Sequence, residues 1–165
     1  MKHTISVLVE NHPGVLSRIS GLFSRRGFNI DSLAVGVTDD PAISRITIIA
    51  EGNEYTVEQI EKQLNKLIDV IKVRTLDPDE LISRELLLIK VSVSAEKRSE
   101  IMTIAEIMGG KIIDLTLSTI TLEFSNTTHH LQRVEEMLKP YGILEIVRTG
   151  SIAIQTGPET ITNKK

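Results

Sequence analysis

The sequence predicts an α+β fold built as two ferredoxin-like βαββαβ units in tandem, and three observations carry that expectation. Segments with apolar residues at period two alternate with segments at a period near 3.6. Turn residues (Pro13-Gly14, Gly27, Asp39-Asp40-Pro41, Gly52-Asn53) fall where the period changes in the first half. The same plan then recurs beyond an interruption at Leu76-Asp77-Pro78-Asp79-Glu80.

Each element has its own justification. Ile5, Val7 and Val9 recur at period two and predict a strand over 4–10. Pro13-Gly14 closes a turn, and Val15, Leu16, Ile19, Leu22 and Phe23 give one apolar face to a helix over 14–26, with Gly27 as its C-cap. A second strand is expected over 29–37. The turn Thr38-Asp39-Asp40-Pro41 leads to a third over 43–51, carrying Ile43, Ile46, Ile48 and Ile49. Val57, Ile60, Leu64, Leu67 and Ile68 then share a helical face, with Thr56 as the expected N-cap. Val70–Arg74 completes the order.

The second half repeats the plan without obvious residue identity to the first. A strand is expected over 85–94, including Leu86 and Leu88, and a helix over 96–108 with Ile101, Ile104, Ala105 and Met108 on one face. Gly109-Gly110 ends that helix. Strands over 111–117 and 119–124, a helix over 127–138, a strand over 141–148 and a short one over 151–155 follow. The expected divisions are a first domain over 1–76, a linker over 77–83, a second domain over 84–157 and a flexible polar tail over 158–165.

Composition narrows the function. Of 165 residues, 41% are apolar and only 3% aromatic, with no Trp, so few rings are available to stack on bases. A net charge of −3 argues against nucleic acid or a membrane surface as partner, and Lys164-Lys165 is too short for a basic arm. The absence of cysteine removes disulfide and thiolate chemistry. No apolar run approaches membrane-spanning length, and the strand pattern starts just after Met1. The expected location is the cytoplasm.

The start of the first helix is the most informative feature. A helix N-terminus presents amides without partners at the positive end of the macrodipole, which suits a small carboxylate. Gly14 lets a ligand approach the backbone closely, and Asn11 adds an amide side chain. Taken alone, such a turn more often simply starts a helix, and Asn29 equally suits a capping role after Gly27. An open four-stranded sheet, however, leaves edges that a second subunit commonly covers. In a side-by-side dimer, Asn29 and Ile30 of one chain would close a pocket opened by Asn11–Leu16 of the other.

Other groupings have plainer readings. Asp39-Asp40-Pro41 is ordinary turn chemistry. Adjacent His129 and His130 diverge by about 100° on a helix, which does not suit a shared metal. Arg25-Arg26 is a solvated helix end that complements the dipole. No Ser/His/Asp grouping emerges, so no catalytic residue and no metal ligand is assigned.

The stretches Glu10-Asn11-x-Pro13-Gly14-Val15-Leu16-x-Arg18 and Phe23-Ser24-x-Arg26-Gly27-x-Asn29-Ile30-x-Ser32-Leu33 resemble the ACT domain of the small regulatory subunit of acetolactate synthase (acetohydroxyacid synthase). The similarity continues through Thr38-Asp39-Asp40-Pro41, Ser44-Arg45-Ile46-Thr47, Asp69-Val70, Arg84-Glu85-Leu86, Lys111-Ile112-Ile113-Asp114 and Arg148-Thr149-Gly150. It spans nearly the whole chain. The resemblance implies a chain without an active site or cofactor that acts as a homodimer. It would activate a large catalytic subunit, which carries thiamine diphosphate, Mg and FAD. It would also confer feedback inhibition by a branched-chain amino acid, typically valine.

Carried over by position, the effector site would comprise Asn11, Gly14, Val15 and Leu16 from one chain with Asn29 and Ile30 from the neighbour. His12 occupies a variable position beside that pocket. One methylene in an apolar pocket is worth about 1–3 kcal/mol, so side chains alone do not separate valine from leucine or isoleucine. The alternative is a free-standing ACT-type amino-acid sensor acting on another enzyme or a transcription regulator, although no helix-turn-helix accompanies the repeat. A catalytic chain would need a metal-diphosphate motif beginning Gly-Asp-Gly, which is absent.

Overall fold

The structure, a computed structural model, describes residues 1–162. Packing divides the chain into two units: Met1–Ser83 together with the residues from Ser151 on, and Arg84–Gly150.

The first unit runs β1 (Lys2–Glu10), α1 (Val15–Arg26), β2 (Ile30–Val37), β3 (Ile43–Glu51), α2 (Glu54–Leu64) and β4 (Val70–Leu76). Its antiparallel sheet has the order β2-β3-β1-β4. Register places Ile5 opposite Ile48 and Val7 opposite both Ile46 and Val73, so these side chains share one face. With Ile19 and Phe23 of α1 and Ile60 and Leu64 of α2 they form the buried core. The register also puts Ser32, Arg45 and Arg74 on the opposite face.

Two local expectations are corrected here. The N-cap of α2 is Asn53, whose Oδ1 accepts from the Thr56 amide at 2.9 Å, so Thr56 is the capped residue. Ile68 does not join the helical face. The helix stops at Leu64, a turn with Leu67 N–H on the Leu64 carbonyl follows, and Ile68 is left 91% exposed while Leu67 still packs on the core.

The strand β5 (Leu81–Ser92), whose first three residues belong to the first unit, leads in the second unit to α3 (Arg98–Ile107), β6 (Lys111–Leu115), β7 (Thr119–Asn126), α4 (Thr128–Leu138) and β8 (Ile143–Arg148). The order β6-β7-β5-β8 repeats the topology of the first sheet. Leu87, Ile89, Val91, Ile101, Ile120, Phe124, Leu131 and Val134 form its core. Gly110 is demanded by packing, since a Cβ there would lie 2.3 Å from the Phe124 ring.

Packing groups the residues after Gly150 with the first unit. A last strand, β9 (Ile152–Gln155), pairs with β5, and the segment is held within the first unit. Arg45 Nη2 donates to the Ala153 carbonyl at 2.8 Å, and Thr156 N–H donates to the Glu80 carbonyl at 2.8 Å. Arg74 pairs with Glu159 and donates through Nη1 to the Thr160 carbonyl at 2.6 Å. Ile161 is buried. Residues 158–162, expected to fray, are thus tied to the sheet face opposite the helices; Lys164-Lys165 lie outside the described residues. The expected linker is also ordered: Pro78–Glu80 form a single 3-10 turn capped by Asp77, and β5 begins at Leu81.

This strap predicts a stability effect. Truncation after Gly157 removes the Arg74–Glu159 pair and exposes the Ile161 contact surface. It is expected to lower first-unit stability by about 1–3 kcal/mol in urea denaturation. An unchanged midpoint would show that the segment is only laid on the sheet.

Candidate functional site at the start of α1

The chain leaves β1 at Glu10 and enters α1 at Val15 through Asn11-His12-Pro13-Gly14. Gly14 is the N-cap, with φ of 91°, a left-handed conformation that strongly favours glycine. No side chain caps the helix start, and no acidic residue stands in the first turn. A Cβ built on Gly14 meets nothing within 4 Å, so the backbone here faces open space. The result is a set of helix-start amides oriented outward without a built-in anion.

The six residues expected at the effector site contribute differently. Asn11 is pinned twice to the β2–β3 turn. Its backbone N–H donates to the Ala42 carbonyl at 2.8 Å, and Nδ2 donates to the Pro41 carbonyl at 2.9 Å. That fixes the amide and leaves its Oδ1 as an acceptor. Val15 is only 4% exposed and its side chain belongs to the core, so it offers its amide alone. Leu16, at 44% exposed, is the apolar side chain presented at the surface.

Asn29 and Ile30 stand at the start of the edge strand β2. Asn29 is exposed and donates through Nδ2 to Asp31 Oδ1 at 2.9 Å, while Ile30 is half-buried against the core. Among the described residues, no hydrogen bond joins Asn29 or Ile30 to the turn of the same chain. Farther along β2, Val35 and Val37 are 46% and 59% exposed, which leaves an apolar edge.

One group beside the turn was not assigned from sequence. Asp69, just before β4 and only 5% exposed, draws three segments together. Its Oδ1 meets His12 Nε2 at 2.9 Å, its Oδ2 pairs with Arg18 of α1, and its carbonyl accepts from the Glu10 N–H at 2.9 Å. Glu10 Oε2 lies 3.3 Å from the same His12 nitrogen. The Arg18 hydrogen bond, reinforced by His12, holds the Asp69 carboxyl below the usual carboxylate range against the opposing effect of burial. The bond to the Pro13 carbonyl raises His12, again against desolvation, with Asp69 and Glu10 adding to the rise. Glu10, His12 and Asp69 bring one donor atom each to within 4.8 Å of one another, a spacing that suits a cation. The Arg18 guanidinium already supplies positive charge to Asp69.

The remaining singled-out residues have structural roles. Asp40 Oδ1 accepts from the Ala42 amide at 2.9 Å, as a turn residue does. His130 Nε2 lies 2.9 Å from the Met108 carbonyl, and Arg26 donates to Gln63 at 3.1 Å. The equivalent strand-to-helix turn of the second unit lacks a left-handed glycine. There Lys97 precedes α3 with right-handed geometry, and Tyr141 donates to Glu100 at 2.9 Å across a shallow polar recess.

Comparison with known proteins gives the lineage. A model for the acetohydroxyacid synthase (AHAS) small subunit-like ACT domain matches residues 5–72, and one for the small subunit of acetolactate synthase matches residues 84–157. The probable acetolactate synthase small subunit of Methanothermobacter thermautotrophicus is 47% identical over 96% of this chain and 95% of its own. The chain belongs to the acetolactate synthase small-subunit family. The small subunit of Mycolicibacterium smegmatis is 46% identical over 96% of this chain and 94% of its own. The crystal structure of the Thermotoga maritima small subunit superposes with a TM-score of 0.91 at 38% identity, covering 96% of this chain and 99% of that one.

Small subunits of this family are regulatory and non-catalytic, and the first unit here is their ACT domain. No helix among the described residues is long and apolar enough to cross a membrane.

Proposed function

We propose that this small subunit binds valine, or a closely related branched-chain amino acid, at the start of α1. Binding lowers the activity of a thiamine-diphosphate-dependent catalytic subunit that the same chain otherwise activates. The observation that carries this reading is the uncapped helix start at Gly14, open to solvent and flanked by the fixed amide of Asn11. The amides of Gly14, Val15 and Leu16 take the effector carboxylate, the Asn11 carbonyl oxygen takes its ammonium, and Leu16 meets its side chain.

The site is completed across a homodimer. The apolar edge at Val35 and Val37 supports pairing of β2 with a second copy, which brings in Asn29 and Ile30. Thiamine diphosphate, Mg and FAD reside on the catalytic subunit, and the complex works in the cytoplasm. Effector binding then biases two arrangements of the assembly, with a coupling of about 1–3 kcal/mol.

Calorimetric titration of the purified protein with valine, leucine and isoleucine tests the reading. Saturable binding of at least one, with one site per dimer interface half, is expected. No heat from any of the three would reject it.

A further inference from the structure

The geometry assigns His12 as a protonated clamp on the effector turn, held by Asp69, that makes effector binding weaken as pH rises. This rests on the effector reading above and adds a regulatory input to it.

The argument starts from donors and acceptors. His12 Nδ1 lies 3.1 Å from the Pro13 carbonyl, and Nε2 lies 2.9 Å from Asp69 Oδ1 and 3.3 Å from Glu10 Oε2. Both ring nitrogens therefore face acceptors only. A neutral imidazole has one donor and one acceptor nitrogen, and would set a lone pair against either the carbonyl or the carboxylates. Only the imidazolium donates to both hydrogen-bonded partners, the Pro13 carbonyl and Asp69, and its charge also meets Glu10.

The charged groups around the ring are Glu10 at the end of β1, Asp69 before β4 and, through Asp69, Arg18 on α1. With His12 protonated the quartet is neutral. Loss of that proton leaves a net charge of −1 beside amides proposed to receive a carboxylate. It also breaks the Asp69–His12 or His12–Pro13 hydrogen bond that ties the turn at Pro13, one residue from Gly14.

Both consequences act in the same direction. The raised His12 pKa means the clamp is fully present below the ordinary value of 6.5 and fades as pH climbs through the raised one. Asp69 stays ionised throughout, because its carboxyl is held below the usual range. It is a positioning residue, acting through His12 and Arg18 rather than on the effector.

Two readouts test this on the full-length protein. In NMR without ligand, His12 (assigned by difference from His12→Gln) is expected to titrate above the ordinary histidine range and to fall back toward it in Asp69→Asn. An ordinary midpoint in the wild type, or one that Asp69→Asn leaves in place, would overturn the clamp.

In calorimetry with valine between pH 6 and 8.5, where the amino acid remains a zwitterion, affinity is expected to drop about two- to fivefold, the scale of one charge near a helix N-terminus. His12→Gln is expected to flatten that profile. A pH-independent wild type, or a profile that His12→Gln preserves, would overturn the link to the effector. Absence of valine, leucine and isoleucine binding at every pH would overturn the effector reading instead, and the NMR result would still decide the clamp.

Discussion

Replacing Gly14 by aspartate is expected to abolish valine binding and feedback inhibition, with affinity falling by about 100-fold or more, since a like charge set against an anion costs several kcal/mol. The expected loss has two physical sources. The new carboxylate stands at the N-cap, where aspartate accepts from the amides of the first turn, and so takes the place proposed for the effector carboxylate. Its Cβ also enters the open space through which the backbone is reached. Left-handed geometry at φ of 91° costs a non-glycine residue about 1–2 kcal/mol. That is a small part of a typical domain's stability, so the variant is expected to fold and to fail in binding. Gly14→Ala separates the contributions, because it carries the backbone strain and the Cβ without the charge. Inhibition of the Gly14→Asp complex at wild-type valine concentrations would reject the site.

The second large effect is on stability. Phe23→Ala is expected to cost about 3–5 kcal/mol, as for aromatic truncations in packed cores. Phe23 lies on the buried face of α1 among the largest fully buried side chains, and its ring meets Phe28 edge-on at a centroid distance of 5.9 Å. Among the described residues, Phe28 is the one aromatic ring paired with it. Urea denaturation measures the loss, and a change below about 1 kcal/mol would mean that α1 is not held by this contact. Because Phe23 anchors the helix whose start is proposed to bind the effector, weakened valine affinity should accompany the lost stability.

Much of the fold was legible because its signals are local. The third strand was expected over 43–51 and occupies Ile43–Glu51; Gly27 was expected to end α1 and does so at φ of 68°. Period-two and period-3.6 patterns survive folding because one face of each element meets the core. What was misread depends on geometry that composition does not express. Asn53 outcompetes Thr56 as a cap because of where the chain turns after Gly52, and Ile68 points outward because α2 ends one turn early. The tail from residue 158 looks polar in sequence, yet Arg74, 86 residues from Thr160 along the chain, ties it to the sheet, as Arg45, 108 residues from Ala153, holds the strand before it.

The candidate site is legible in part for the same reason. Gly14 and Asn11 sit in one short turn, where helix-start chemistry can be reasoned from neighbours. The burial of Val15 reduces its part to a backbone amide, a distinction that a helical pattern containing both Val15 and Leu16 does not make. The role of Asp69 is not legible in sequence, because it lies 57 residues from His12 and 51 from Arg18. Only the fold brings those three together. Its neighbourhood to a strand start and its pairing with Arg18 are the signals that a sequence reading lacked.

The most direct test of the account is the acetolactate-forming rate of the purified catalytic subunit, measured alone, with this chain added, and with valine titrated into the complex. The account predicts no product from this chain by itself, a higher rate when it joins the catalytic subunit, and a decline with valine that Gly14→Asp removes. A rate that this chain leaves unchanged, with or without valine, would contradict it.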